Sequence, residues 1–122
     1  MDITKIYYAH SMRIYDTTRE DKEYQFLSQL GVVDNPNDGL GKRRIEDFLK
    51  RVLHCDQIIC SEYKGYIGRG VYEELTVAIS ENIPAYVLRK RKILGRFHLK
   101  EVKALKIVND SDWQIRFGKV KV

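Results

Sequence analysis

Along the first 88 residues, apolar and polar positions alternate between two spacings. Ile3–Ala9 (ITKIYYA) is β-branched and aromatic and predicts a buried strand. His10–Asp16 has no periodicity and reads as a loop. A helix opens at Thr17, where Thr17 and Glu20 have the spacing of a capping box, and Tyr24, Leu27 and Leu30 recur at helical intervals beside Phe26. Gly31 is placed to end that helix as a left-handed cap, and Val32–Val33 is a short second strand. After the turn-forming run Asn35-Pro36-Asn37-Asp38-Gly39, an apolar stripe of Ile45, Phe48, Leu49, Val52 and Leu53 predicts a second helix. Gln57–Cys60 reads as a central buried strand and Ser61–Gly70 as a glycine-containing loop. A third helix is expected over about Val71–Asn82, with Leu75, Ala78 and Ile79 inward, and Ala85–Leu88 is the fourth strand.

The order is β-α-β-α-β-α-β. Parallel neighbours need crossover connections, so this alternation predicts an α/β fold with helices on both faces of a parallel sheet. Val102–Val108 and Trp113–Val122 read as β-type segments around an Asn109–Asp112 turn, which predicts a C-terminal hairpin. No linker or repeat divides the chain. It reads as one domain with a core over 1–88 and a β extension over 89–122. Ligands of open parallel sheets gather at the carboxyl ends of the strands. Three segments should therefore share a crevice: His10–Asp16, Ser61–Gly70 and the start of the third helix.

Composition narrows the class. With 122 residues, 43% hydrophobic and 32% charged, the chain has ordinary globular usage. No apolar window approaches a membrane span. The N-terminus lacks the basic-then-apolar pattern of a signal peptide, which predicts a cytoplasmic protein. Cys55 and Cys60 fit a reducing compartment and lack a second Cys/His pair, so no metal site is expected. The net charge of +5 is uneven. Residues 1–88 hold 11 Lys/Arg against 14 Asp/Glu, and residues 89–122 hold 11 against 3. A basic segment of this kind attracts phosphate, whether nucleotide or nucleic acid.

The segment Gly65–Ala78 (GYIGRGVYEELTVA) carries the most chemistry. Gly68 and Gly70 precede a helix, where a backbone without Cβ admits close approach and free amides meet an anion. The segment is neither a P-loop nor a dinucleotide fingerprint. Glu73 and Glu74 are expected in the first turn of that helix; Glu74 shares a face with Gly70 and Ala78 toward the sheet, and Glu73 is nearer solvent. A partly desolvated Glu74 could attack an electrophilic carbon. Tyr7 and Tyr8 point to opposite faces, and Tyr8, nearer the strand end, is expected at the crevice. His10 could bind phosphate or donate a proton, Ser11 and Arg13 are natural phosphate contacts, and Tyr15 could stack on a base. Asp56 should lie at the amino end of the central strand, away from ligand. Arg89-Lys90-Arg91-Lys92 is expected as a connection after the fourth strand. Trp113, Phe117, Lys119 and Lys121 would share one face of an extended strand, with Arg116 opposite.

Taken together, IYYAHSM, DQIIC, GRGVYEELTVA and PAYVL resemble the nucleoside 2-deoxyribosyltransferase-like superfamily over about residues 3–88. The resemblance implies a three-layer, flavodoxin/Rossmann-like parallel sheet of order about 2-1-3-4-5. It matches Gly70 to the motif glycine, Glu74 to the catalytic glutamate and Ala78 to the motif alanine. That glutamate attacks C1′ of a nucleoside or nucleotide, and the intermediate passes to another base or to water. The family uses no cofactor and often completes its sites across subunits, which implies a homo-oligomer. The sequence departs from the family pattern at Val71, Thr76, Gly68 and His10-Ser11-Met12, and has no Asp-Gly pair after the central strand. Two alternatives stay open: a non-catalytic nucleotide-binding module on the same scaffold, and nucleic-acid binding through residues 89–122.

Overall fold

The computed structural model describes residues 3–38, 44–63, 65–91, 95–103, 106–107 and 120–121. Asn109–Asp112, Trp113, Arg116, Phe117 and Lys119 lie outside the described residues. The main sheet has five strands in the order β2-β1-β3-β5-β6, built from β1 (Lys5–Ala9), β2 (Val32–Asp34), β3 (Gln57–Ser61), β5 (Ala85–Lys90) and β6 (Phe97–Glu101). The first four are parallel, as the alternation predicts, and β6 runs antiparallel to β5. The short β4 (Tyr66–Ile67) leaves this sheet and pairs with β8 (Val120–Lys121), which also pairs with β7 (Lys106–Ile107). β7 and β8 fall within the two expected C-terminal β segments and are antiparallel; the turn expected at Asn109–Asp112 lies outside the described residues.

Three helices cover the main sheet. α1 (Thr18–Ser28) packs on one face through Leu27 and Phe26, against Ile6, Tyr8, Ile59 and Leu88. α2 (Ile45–Leu53) and α3 (Arg69–Ser80) pack on the other, where Val52, Val71, Leu75 and Ala78 meet Tyr7, Ala9, Ile58, Cys60 and Val87. Alternate residues of β1 therefore feed two separate cores, as expected for a strand buried on both sides.

Several local expectations are corrected. The Thr17 hydroxyl accepts from the Glu20 amide at 3.3 Å, but the Glu20 carboxylate does not close the capping box. It turns instead to the Asp16 amide and to His10, because Asp16 is held at φ 61° and brings its N–H within 3.0 Å. Gly31 is not left-handed. A methyl group there would run into the Thr4 carbonyl oxygen, which accepts from the Val32 amide at 2.9 Å, so the position needs glycine for close approach. Leu53 ends its helix exposed, leaving Val52 as the buried residue of the last turn. β5 runs on to Lys90, so Arg89 and Lys90 are strand residues. β6 was not foreseen: its start, Phe97, precedes the expected 102–108 segment. No helix among the described residues is long and apolar enough to cross a membrane.

Replacing Gly31 with Ala should destabilise the fold by about 1–3 kcal/mol, because the obstructing atom is backbone. Thermal denaturation should show a midpoint several degrees lower; an unchanged midpoint would contradict the packing described at Gly31.

Candidate functional site

Glu74 lies in the second turn of α3 on the buried stripe Val71-Glu74-Leu75-Ala78 and is 6% exposed. Burial pushes its carboxyl up to about 7, with Glu73 adding to the rise; the Tyr7 hydroxyl and the Arg51 guanidinium act in the opposite direction. Tyr7 approaches from the middle of β1. Its hydroxyl is buried without a hydrogen bond to any described group, although Glu74 is its principal charged neighbour. Burial and that carboxyl both push the phenol upward, so Tyr7 stays a neutral donor. Glu73 faces outward and pairs with Arg69 at 3.4 Å across one turn of helix.

Arg51 of α2 ties down the carboxyl end of β2 and the residues that follow it. Its Nε donates to Asp34 Oδ2 at 3.2 Å, its Nη2 to Asp34 Oδ1, and its Nη1 to Asp38 Oδ2 at 3.0 Å. A further bond to the Asn35 carbonyl, 3.2 Å, joins α2 to the loop after β2. A forked guanidinium with two carboxylates holds that loop more firmly than an ammonium could. Tyr15, at the end of the 3-10 turn Met12–Ile14, is half-buried beside this group. Its phenol is raised by burial first and then by Glu74, Glu20 and Asp38.

Tyr8 and His10 do not point at Glu74. The Tyr8 hydroxyl donates to Glu23 Oε1 at 2.6 Å on the α1 face. The His10 ring stacks on Tyr8 with centroids 3.9 Å apart and leans on Tyr15 at 4.9 Å. His10 Nδ1 faces the Tyr8 carbonyl at 3.0 Å and Nε2 faces Glu20 Oε2 at 2.6 Å. Both ring nitrogens are taken up by these partners, and neither is left for phosphate or a leaving base. Burial opposes charge on Glu20, but hydrogen bonds from His10, the Asp16 amide and Asn37 outweigh it and hold the carboxyl below its ordinary range. Tyr8 and His10 thus serve a buried network. The strand's parity decides this, since the odd residues of β1 face α3 and the even residues face α1.

The other expected positions sit as follows. Ser11 is exposed and its Oγ accepts from the Arg13 amide at 3.2 Å, capping the 3-10 turn; Arg13 is exposed on that turn. Gly68 is the N-cap of α3 and Gly70 lies in its first turn. Neither adopts a positive φ, and a Cβ at either would meet open space among the described residues. The fold itself does not require glycine at these two positions; a ligand approaching the helix N-terminus would. Asp56 lies before β3 and accepts from the Lys5 amide at 2.7 Å, at the edge away from the crevice. Tyr7, Asp34 and Arg51 were missed. Asp34 at the carboxyl end of β2 was the available signal. Among the described residues no group of three His, Cys, Asp or Glu could hold a metal ion.

No protein-family profile matches the chain, and no curated protein sequence matches it. A solved structure, described as a conserved protein from Enterococcus faecalis V583, is similar with a TM-score of 0.61 and 20% sequence identity. The likeness covers 75% of this chain and 66% of that one, so the chain spans slightly less than two thirds of that protein. At this identity the likeness shows the fold: an α/β layered sheet.

The raised carboxyl has a signature in stability. Glu74 goes from 4.5 in the unfolded chain to about 7 in the folded one, so the folded state holds its proton more tightly. Stability from this group is complete below pH 4.5 and is lost as pH rises to about 7. Glu74→Gln lacks that loss. Its stability relative to the unchanged protein should climb between those pH values and level off above them, by an amount of the order of 3 kcal/mol. Denaturation midpoints of both proteins from pH 4 to 8.5 check this.

Proposed function

We propose that the protein cleaves or transfers the N-glycosidic bond of a nucleoside or nucleotide, with Glu74 as nucleophile. The observation that carries this reading is a carboxyl 6% exposed, raised to about 7, with a buried tyrosine hydroxyl as neighbour that makes no hydrogen bond among the described residues. A carboxyl used only for folding would be paired, as Glu20 and Glu23 are on the opposite face. The resemblance of GRGVYEELTVA to the deoxyribosyltransferase-like motif supports the same residue.

In the proposed reaction the ionised Glu74 oxygen bonds to C1′ of the sugar. The C1′–N bond breaks, and its electron pair leaves with the base, which takes a proton from solvent. Water or a second base then attacks C1′ and releases the Glu74 carboxylate. The Tyr7 hydroxyl, buried and without a hydrogen bond to a described group, would donate to the oxygen that does not attack, favouring the charged form. Open backbone at Gly68 and Gly70, with the amides of the α3 N-terminus, is where a phosphate of the substrate would lie.

The experiment is incubation with a panel of nucleosides and nucleotides, followed by chromatography for free base. Release should fall at least about a thousandfold in Glu74→Gln; undiminished release would overturn the assignment. Ligand-induced thermal stabilisation without base release would instead favour the non-catalytic binding module. Attack needs the carboxylate, so the rate should rise with pH through a midpoint near 7. Tyr7→Phe removes a donor that favours the charged form, so it should lower the rate and move that midpoint upward.

A further inference from the structure

On the other face of the sheet, α1, the loop after β3 and the β5–β6 pair enclose a cleft of about 480 Å³. That volume is within the range of small-molecule sites, about 300–1,000 Å³. Its floor is Leu88 and Phe97. One wall is the first two turns of α1 with Arg19 and Lys22, and the rim carries Tyr63 and Lys90. Nothing in the chemistry around Glu74 uses these side chains.

Five charged residues line the cleft, and three are spent inside the protein. The Glu23 carboxylate accepts from the Tyr8 hydroxyl at 2.6 Å, the Ser61 hydroxyl at 3.0 Å and Arg19 Nε at 3.2 Å. Arg19 also donates to the Ser61 hydroxyl at 3.0 Å and to the Glu62 carbonyl. Glu62 turns its carboxylate to the Gly65 amide, at a residue held at φ 83°. The ammonium groups of Lys22 and Lys90 are different. Neither has a carboxylate partner among the described residues, and Lys90 Nζ stands 5.9 Å from the Phe97 ring centroid.

The aromatic residues supply the second half of the site. Phe97 forms a floor that packs on Phe26 with centroids 5.2 Å apart. Tyr63 is 61% exposed, yet its backbone is fixed by reciprocal bonds with Tyr66 at 2.9 and 3.0 Å. A large aromatic side chain with two χ angles, on backbone anchored by such a bridge, loses little entropy when a planar ligand stacks on it. We infer that this cleft is a second binding site, separate from the Glu74 crevice, for a 5′-mononucleotide. The base lies over Phe97 and Tyr63, and the phosphate lies between Lys22 and Lys90.

The test is an NMR titration of the full chain with the 5′-monophosphates of adenosine, guanosine, cytidine and uridine, alongside adenosine and inorganic phosphate. The Glu74→Gln protein is used so that nothing turns over. Saturable shifts are expected at the amides of Thr18, Lys22, Tyr63 and Phe97 with at least one mononucleotide. Adenosine and inorganic phosphate should each bind at least tenfold more weakly than that mononucleotide. Lys22→Glu and Lys90→Glu alter exposed side chains and should each weaken binding tenfold or more; Tyr63→Ala should weaken it severalfold. The inference is overturned if all four mononucleotides leave these amides unmoved, or if both charge reversals leave affinity unchanged. It is equally overturned if inorganic phosphate or adenosine binds as tightly as the mononucleotide. Base release by the unchanged protein is read separately, so failure here leaves the Glu74 reading standing, and the converse holds.

Discussion

The structure turns on one constraint: β1 is buried on both faces and carries two consecutive tyrosines whose hydroxyls must be accommodated on opposite sides. Each ring fills core volume that no smaller side chain would fill, and each brings an oxygen that is costly to leave unpaired. Tyr8 finds Glu23 at 2.6 Å, and around that bond the α1 face assembles Ser61, Arg19 and, through the stacked His10, Glu20 and Asn37. On that face the donors and acceptors are matched to one another. Tyr7 is accommodated differently. Its hydroxyl is left open beside a carboxyl kept high by burial, and Arg51 spends its fork on Asp34 and Asp38.

This asymmetry separates carboxylates that hold the fold from one available for chemistry. Glu20 and Glu23 each accept several hydrogen bonds at or near the N-terminal turns of α1, where negative charge is also favoured by the helix. Glu74 has the same residue type and comparable burial, but its surroundings raise it instead of saturating it. The adjoining Gly68 and Gly70 leave open space at the head of the same helix, though neither backbone demands glycine. Strained or unsatisfied groups that a fold tolerates are where function is to be sought. Arg19 on the α1 face holds Ser61 and Glu62 at the end of β3, and β4 leads from there into α3 on the opposite face.

Much of the architecture was legible in the sequence, because parallel strands buried on both faces leave continuous apolar runs. Gln57–Cys60 and Ala85–Leu88 are such runs, and Thr17 announces α1 through its cap. Glu74 was legible too, since a carboxylate four residues after Gly70 and four before Ala78 falls on an apolar helix stripe. The choice between Tyr7 and Tyr8 was not. Crossover handedness places α1 opposite α2 and α3, but nothing local says which parity of β1 faces which helix. β6 escaped notice because Phe97 and Leu99 are half-buried residues of an edge strand amid lysines and arginines. The local spacing makes Glu20 half of a capping box, whereas its actual partners, Asp16 at positive φ and His10 from the end of β1, are set by tertiary structure.

One property separates the two faces of β1: on the Tyr7 face, burial pushes the Glu74 carboxyl up to about 7. Its most direct test is an NMR titration of the Glu74 side-chain carboxyl carbon in glutamate-labelled protein, from pH 3.5 to 9. A midpoint near 7 is expected, moving higher in Tyr7→Phe. A midpoint at the ordinary value of 4.5, unmoved by loss of the Tyr7 hydroxyl, would contradict it.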